Sequence, residues 1–209
     1  LRPASPHVPG AMAVAAENTH NAAGGKVMRA EGMAGIAAAA REAGLALHLD
    51  GARLWNAAAA LDLPVSRLAA GATTVMVSFS KGLGCPVGSC LAIPAGERPR
   101  AWEIRKRLGG GMRQSGILAA AALWALDHNL ARLADDHANA RLLAERLAAC
   151  RAVRAEVPQS NVVMIDLTRE GDTAEAAVAK LARAGVLVVP FGPRRLRVVT
   201  HLDVTRRDV

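Results

Sequence analysis

Short apolar runs alternate with longer segments of helical spacing along the first half of the chain. The strand-like apolar runs are 11–16, 45–49, 73–79 and 90–93. Apolar residues at helical spacing predict helices over 33–43, closed by Gly44, and over 53–60. Because helical segments separate these strands, the pattern predicts parallel βαβ units and therefore an α/β fold class.

The pattern changes after the triple glycine at 109–111. Helical spacing runs over 114–150, with an interruption near His128 and Asn129. A further helix is predicted at 174–184, among strands at 161–167, 186–190 and 196–200. These elements indicate a small α+β unit, and we expect a first domain over 1–128 and a second over 129–209.

Composition supports a folded protein without a membrane segment. The 209 residues are 52% hydrophobic, which permits a sizeable core. No apolar run reaches the roughly 18–20 residues of a membrane span. Cys85, Cys90 and Cys150 form no CxxC pair and show no zinc-ligand spacing. We therefore expect free thiols, a cytoplasmic location and no metal site.

The net charge of +8 is typical of nucleic-acid-binding proteins, but the distribution of the basic residues does not favour that function. The arginines are scattered, the basic cluster at 98–107 alternates with apolar residues as an amphipathic helix does, and aromatic residues make up only 2%. Such a chain lacks the stacking platform of RNA-binding domains. The absence of tyrosine excludes a tyrosine acid, and the four lysines leave few candidates for an amine nucleophile.

Two charged residues follow apolar strands, Asp50 after 45–49 and Lys81 after 73–79. The carboxyl ends of parallel strands form one edge, where ligand crevices occur. An amine and an anion there match pyridoxal phosphate, whose aldehyde takes a lysine and whose pyridine nitrogen needs an acid partner. From position alone, a structural or surface role is the more common one for an aspartate and a lysine at strand ends.

Longer motifs occur in a fixed order along the chain. They are ENTHN at 17–21 with GG at 24–25, HLDGARLWNA at 48–57, SKGLGCPVGS at 80–89, GGGMRQSGILAAA at 109–121 and RVVTHLDVT at 197–205. Together they resemble the low-specificity L-threonine aldolase family, a branch of the pyridoxal enzymes with the aspartate-aminotransferase fold (fold type I). The resemblance implies a mostly parallel sheet with helices, plus a small C-terminal α+β domain.

The resemblance also implies roles for individual residues. Lys81 of SKGLG would form the Schiff base with pyridoxal 5'-phosphate, and Asp50 of HxDGAR would pair with its pyridine nitrogen. Arg53 would hold the substrate carboxylate and the ring oxygen, and Arg197 would be a second carboxylate ligand. A planar fork of N–H donors suits a carboxylate.

Further candidates are less sharply defined by the sequence. His7, in RPASPHVP, would contact the substrate hydroxyl, although Ser5, Pro6 and Val8 depart from the family pattern. Lys106 and Arg113 would lie near the site or reach across a subunit boundary. Ser80 or Ser78 would bind the phosphate.

Structural alternatives stay open for most of these candidates. They are a surface position for His7, an ion pair with Asp203 for Arg197, solvation for Lys106 and Arg113, a strand-end hydrogen bond for the serines, and packing for His20 and His48.

The family runs longer than this chain, so we expect an incomplete unit that lacks an N-terminal third and the last helix. The expected activity is cleavage of L-threonine or L-allo-threonine to glycine and acetaldehyde by a homotetramer, without nucleic-acid or membrane partners. Two alternatives are a β-eliminating pyridoxal lyase of the same fold and a catalytically inactive scaffold.

Overall fold

The computed structural model describes residue 7 and residues 9–209. The chain divides into two compact units: one comprises the described residues up to Thr19 together with Met28–Leu130, and the other comprises His20–Val27 and Ala131–Val209. The short segment His20–Val27 thus belongs to the second unit although first-unit sequence flanks it. The domains 1–128 and 129–209 inferred from the sequence stay a proposal.

The first unit contains a four-stranded sheet in the order β1-β2-β3-β4. Its strands are β1 (Ala13–Glu17), β2 (Ala46–Gly51), β3 (Thr74–Ser78) and β4 (Ser89–Ala92). Strands β1, β2 and β3 are parallel, as the sequence pattern predicts, whereas β4 pairs antiparallel with β3. Strand β4 departs from the expected parallel arrangement because a loop, and no helix, connects it to β3.

The helices of the first unit include the two that the apolar periodicity predicts before residue 61, the first of which begins three residues earlier than expected. The helices are α1 (Ala30–Glu42), α2 (Leu54–Leu61), the one-turn α3 (Val65–Leu68), α4 (Arg98–Arg107), preceded by a 3₁₀ turn at Ala95–Glu97, and α5 (Gly116–His128). Gly44 follows α1 with φ +68°, and Leu45 N–H donates to the Ala40 carbonyl. This is the glycine-terminated helix end expected from the sequence.

The core of the first unit is aliphatic. Alternation along β2 buries Leu47 and Leu49, while Asp50 is half-buried. A Cβ on Gly51 would lie 2.5 Å from the Met76 carbonyl oxygen, so only glycine permits β3 to approach β2 there. Four more large aliphatic side chains of this unit are fully buried, Met33, Leu54, Leu68 and Leu83, and so are the polar side chains of Asn18 and Asn56.

The second unit contains a sheet in the order β5-β6-β8-β7, antiparallel at every pairing. Its elements are α6 (Leu133–Leu147), β5 (Val153–Ala155), β6 (Val162–Leu167), α7 (Ala174–Arg183), β7 (Val189–Gly192) and β8 (Arg195–Val199). The break between α5 and α6 confirms the predicted interruption near His128 and Asn129. Helices α6 and α7 pack against the sheet around Ala140, Val163, Ile165, Ala174 and Leu196.

Strand β7 begins three residues later than the predicted strand at 186–190. Val186 N–H donates to the Leu181 carbonyl, which closes the end of α7 and keeps Val186 out of the sheet. Leu187 is 86% exposed. The start of this strand was therefore predicted wrongly, because the prediction relied on apolar character alone.

No helix in the described part of the chain has the length and hydropathy that a membrane span requires. All three cysteines are free thiols, with Cys85 buried. Among residue 7 and residues 9–209, no cluster of three or more histidine, cysteine or acidic side chains is arranged to hold a metal ion.

Candidate active site

The carboxyl ends of β1, β2 and β3 meet at one edge of the first unit's sheet because these strands are parallel. Glu17 lies opposite Asp50, and Asp50 lies opposite Met76. Asn18 N–H, just beyond β1, donates to the Asp50 carbonyl over 3.0 Å. Asp50 thus occupies the edge where ligand crevices form in such sheets.

The side chain of Asp50 is held by its own turn. Ala52 N–H donates to Oδ1 over 3.0 Å, which fixes the plane of the half-buried carboxylate. Within the described residues, Oδ2 receives no hydrogen bond. An acceptor oxygen at this edge suits a positively charged donor.

Lys81 lies in the loop between β3 and β4. Phe79 N–H donates to the Gly88 carbonyl, and Cys85 N–H donates back to the Phe79 carbonyl, both over 3.0 Å. These bonds close residues 79–88 into a compact loop, which we call the lysine loop. Lys81 itself is exposed, so its ammonium is presented to solvent at the edge of the sheet.

Neighbouring elements hold the lysine loop from two sides. Asn129, at the end of α5, donates from Nδ2 to the carbonyl of the fully buried Leu83 over 2.8 Å. Trp55 in α2 donates from Nε1 to the Ser78 carbonyl over 3.2 Å and stacks on Phe79. The lysine is therefore carried on a loop whose backbone is fixed by side chains of two helices.

Burial raises the pKa of the Cys85 thiol in the same loop. Its Sγ lies 3.6 Å from the Ala121 carbonyl oxygen in α5. The thiol is thus protonated at neutral pH and packs as a small apolar group.

Hydroxyl and guanidinium groups complete this edge. Ser78 Oγ and Ser80 Oγ lie 3.3 Å apart, with Ser78 buried and Ser80 exposed. Arg53 is half-buried and immediately precedes α2. His48 points its Nδ1 at Thr74 Oγ1, 2.7 Å away, which supports the packing role for that histidine.

The groups along this edge fit pyridoxal phosphate by their chemistry. The edge offers a carboxylate with one oxygen available, an amine, hydroxyls and a guanidinium, which correspond to the pyridine nitrogen, the aldehyde and the anionic substituents of that molecule. Asp50, Arg53, Ser80 and Lys81 are the site candidates that the fold of the first unit brings to one edge.

Lys106 lies in α4, and Arg113 lies in the segment between α4 and α5. With Trp102, Arg105, Gly111 and Met112 they line a cavity of about 330 Å³. Lys106 Nζ lies 3.5 Å from the Gly111 carbonyl oxygen, and Arg113 is exposed. His7 is exposed in a turn near the start of the described chain. The roles inferred for these three residues stay predictions.

Arg197 lies on β8 of the second unit. Its Nη1 donates to Asn21 Oδ1 over 2.8 Å, and its guanidinium carbon lies 5.2 Å from the centre of the Phe191 ring. Asp203 lies 3.5 Å from His201 Nδ1, so the structure does not pair Asp203 with Arg197. The alternative of an Arg197–Asp203 ion pair is therefore not supported.

Arg195, two residues away on the same strand, has a different environment. It donates to both carboxylate oxygens of Asp166, over 2.6 and 2.9 Å, and to Glu156 over 3.1 Å. The hydrogen bonds from Arg195 lower the pKa of Asp166. Arg195 is thus neutralised by two carboxylates, whereas Arg197 is held by an amide and an aromatic ring.

Sequence reasoning assigned no role to Asn21, Trp55 or Asn129. Asn21 lies within the ENTHN motif, which was a usable signal. Trp55 belongs to HLDGARLWNA but reads as an ordinary core residue, and Asn129 follows a helix without a motif. Their hydrogen bonds depend on tertiary contacts that no local pattern encodes.

The comparisons with known proteins place this geometry in a family. The sequence profile of the family described as Beta-eliminating lyase matches residues 1–170. The chain belongs to this family.

Two curated relatives of this family member carry threonine aldolase names. A probable low-specificity L-threonine aldolase 2 of Arabidopsis thaliana is 40% identical over 206 residues, covering 97% of this chain and 58% of the relative. A low specificity L-threonine aldolase of Escherichia coli O157:H7 is 40% identical over 209 residues, covering 100% of this chain and 60% of the relative. The chain therefore spans somewhat more than half the length of these relatives.

Solved structures resemble this family member in fold. A putative L-allo-threonine aldolase from Listeria monocytogenes superposes with a TM-score of 0.78 at 26% identity, over 90% of this chain and 55% of that one. An ornithine delta-aminotransferase of Plasmodium falciparum superposes with a TM-score of 0.66 at 13% identity, over 94% of this chain and 52% of that one. The second likeness shows the fold alone.

Proposed function

We propose that the protein is a pyridoxal-phosphate-dependent aldehyde-lyase that cleaves L-threonine or L-allo-threonine to glycine and acetaldehyde. The observation that carries the proposal is the presence of Asp50 and Lys81 at or just after the carboxyl ends of the parallel strands β2 and β3. The names of the Arabidopsis and Escherichia coli relatives support the substrate class. When bound, pyridoxal 5'-phosphate supplies the electron sink that makes breakage of the Cα–Cβ bond feasible.

The chain's own residues hold that cofactor and orient it. The Asp50 carboxylate, fixed by Ala52 N–H, holds a proton on the pyridine nitrogen. The Lys81 amine would hold the cofactor at its aldehyde group, and the Ser80 hydroxyl would donate a hydrogen bond to its phosphate. Arg53, just before α2, contributes positive charge for the ring oxygen and the substrate carboxylate.

Substrate binding is assigned to the arginines and the proton transfer to a histidine. Arg53 and Arg197 bind the carboxylate of the amino acid, because a guanidinium fork matches its geometry. His7, directly or through a water, takes the proton from the β-hydroxyl group. Lys106 and Arg113 lie near the site or reach that of a neighbouring subunit, where their positive charge attracts an anionic substrate.

The decisive test replaces Lys81 by alanine in the protein expressed from its complete reading frame. We expect the absorbance of bound cofactor and the release of acetaldehyde from threonine to fall to background. Reduction with borohydride followed by peptide mass spectrometry should place the cofactor on Lys81 in the unmodified protein.

The matched control is Lys180→Ala, which removes an exposed lysine of α7 and should leave both measurements unchanged. Undiminished turnover in Lys81→Ala would end the proposal.

A β-eliminating activity is the second candidate, because the matching family carries that description. The two reactions differ in their products. Glycine with acetaldehyde indicates aldol cleavage, whereas pyruvate with ammonia from the same amino-acid panel indicates β-elimination.

The assembly and location are part of the same proposal. We assign a homotetramer, supported by the many large apolar side chains that are exposed between residues 87 and 124. We assign a cytoplasmic location, supported by three free cysteines.

A further inference from the structure

The segment His20–Val27, which carries the end of the ENTHN motif and both glycines of GG, folds into a closed loop. His20 and Lys26 form a two-residue bridge, and Gly25 N–H donates to the His20 carbonyl over 2.9 Å. Gly24 N–H donates to the Asn21 carbonyl over 3.0 Å. We call this segment the asparagine loop; its backbone shape is set by its own hydrogen bonds.

The asparagine loop packs on the start of β6. Gly24 and Gly25 have φ of +80° and +72°, and a Cβ on Gly24 would lie 2.6 Å from Met164 Cγ. Ser160 Oγ donates to the Gly25 carbonyl over 2.8 Å, and Val27 N–H donates to Gln159 Oε1 over 2.8 Å. The two glycines are therefore required both for the turn and for the close approach to the sheet.

This packing places Asn21 against the side chain of Arg197 on β8. Met164, beneath Gly24, pairs with Arg197 in the β6–β8 ladder. Asn21 Oδ1 accepts the hydrogen bond from Arg197 Nη1, and the Phe191 ring covers one side of the guanidinium. A free arginine side chain loses rotamer freedom when it binds a ligand, and these contacts restrict the Arg197 guanidinium in advance.

We infer that Asn21 is a positioning residue that fixes the orientation of the Arg197 guanidinium for binding a substrate carboxylate. The inference rests on the proposed function, in which Arg197 is a carboxylate ligand. Asn21 uses one of the five N–H donors of Arg197. As a neutral acceptor it leaves the positive charge available, in contrast to the carboxylates that neutralise Arg195.

The inference predicts a loss of affinity that depends on the ligand's carboxylate. In the holoenzyme from the complete reading frame, Asn21→Ala should weaken glycine binding about 10-fold, because a hydrogen bond to a charged group is lost. Binding of 2-aminoethanol, which has the amine but no carboxylate, should change less than 2-fold. Both dissociation constants are measured from the change in cofactor absorbance on titration.

Two further variants define the origin of the effect. Phe191→Leu removes the other contact that restricts the guanidinium and should show the same selective loss of glycine affinity. Lys26→Ala alters the same loop at a surface ion pair, where Nζ lies 3.6 Å from Glu156, and should leave both constants unchanged. In an Arg197→Ala background, Asn21→Ala should alter glycine affinity less than 2-fold.

The outcomes separate this inference from the proposed function. A wild-type protein that binds no pyridoxal phosphate and releases no acetaldehyde overturns both. Equal losses for glycine and 2-aminoethanol, or additive effects in the double variant, overturn the positioning role alone. Unchanged glycine affinity in Asn21→Ala does the same. If Asn21→Ala does not fold, as judged by circular dichroism and cofactor absorbance, the Phe191→Leu result decides.

Discussion

At the scale of single residues, the environment of a side chain separates functional charges from structural ones. Asp50 and Asp62 both lie in the first unit, Asp50 in β2 shortly before α2 and Asp62 directly after α2. Asp50 is half-buried at the carboxyl edge of the sheet with one oxygen available, whereas Asp62 is exposed at φ 51° after α2. Arg197 and Arg195 also differ in environment, because carboxylates pair with Arg195 whereas a neutral amide accepts from Arg197. For the two aspartates, removing the charge of each side chain tests which one is functional.

Replacing Asp50 with asparagine keeps the shape of the side chain and removes its charge. A hydrogen bond to a charged group contributes about 1.5–3 kcal/mol, so we expect kcat for threonine cleavage to fall about 10- to 150-fold. Asp62→Asn is the matched control and should retain full activity, since asparagine also tolerates a positive φ. Steady-state kinetics of both variants check the prediction, and equal activities would remove Asp50 from the mechanism.

The sequence predicts the position of Asp50 and Lys81 because each comes just after an apolar strand, and strand direction then fixes the edge. It does not predict the contact between Asn21 and Arg197, which are 176 residues apart. That contact depends on the register of β6 with β8 and on the two glycines that let the asparagine loop approach Met164.

At the scale of elements, α6 shows where a polar pattern misleads. Its first turns read LADDHANA, a composition typical of a solvated face, yet Asp136, His137 and Asn139 are buried. Arg132 Nη2 donates to Asp136 Oδ1 over 2.7 Å, and Thr200 Oγ1 donates to the backbone carbonyl of Asp136 over 2.7 Å. Asn139 Nδ2 donates to the Val204 carbonyl over 3.0 Å. The tertiary bonds to Thr200 and Val204 satisfy part of this buried polar surface, while Asp136 Oδ2 has no partner among the described residues.

His137 gives this helix a measurable dependence on pH. Burial, with a smaller contribution from the charge of Arg141, lowers the pKa of His137 from 6.5 to about 4. The folded state therefore holds the imidazole neutral while the unfolded chain takes up a proton below about pH 6.5. The contribution of His137 to the free energy of unfolding should be complete above pH 6.5 and fall as the pH drops towards 4.

Denaturant titrations of the wild type and His137→Gln at several pH values test this expectation. The difference between their unfolding free energies should change by up to about 1.4 kcal/mol per pH unit within that window. Burial raises the pKa of Asp136, which acts in the opposite direction but is present in both proteins. The lowered pKa of Asp166 affects stability only below its ordinary value of 3.8. Parallel stability curves for the two proteins would contradict the assignment.

The sequence pattern predicts helix ends that depend on local signals, but not strand features that depend on how the strand is connected to its neighbours. Helix α1 ends at its expected glycine, and the α5–α6 break occurs where the spacing indicates. The direction of β4 and the start of β7 differ because a loop replaces a crossover helix in one case and a helix-terminating hydrogen bond involves Val186 in the other.

At the scale of the whole molecule, the two units differ in how their apolar side chains are covered. The second unit packs α6 and α7 on its sheet around a continuous core. In the first unit, only Ala125 of the largely apolar α5 is buried, and Ile117 is 80% exposed. Trp102, Leu108, Met112 and Leu123 are also exposed. Large exposed apolar side chains in these numbers support the proposed homo-oligomer, in which a second copy would cover them.

Ile117 offers a direct test of association through α5. It lies two turns from Trp124 and therefore on the same side of the helix, close to the helix N-terminus where an acidic side chain is favourable. Ile117→Glu should thus leave the fold of the subunit intact while placing a charge in the proposed interface. Sedimentation velocity at a fixed concentration should show smaller species than the wild type. Leu187→Glu, at an equally exposed position of the second unit, should sediment as the wild type does, and the same result for Ile117→Glu would exclude this face of α5 from the interface.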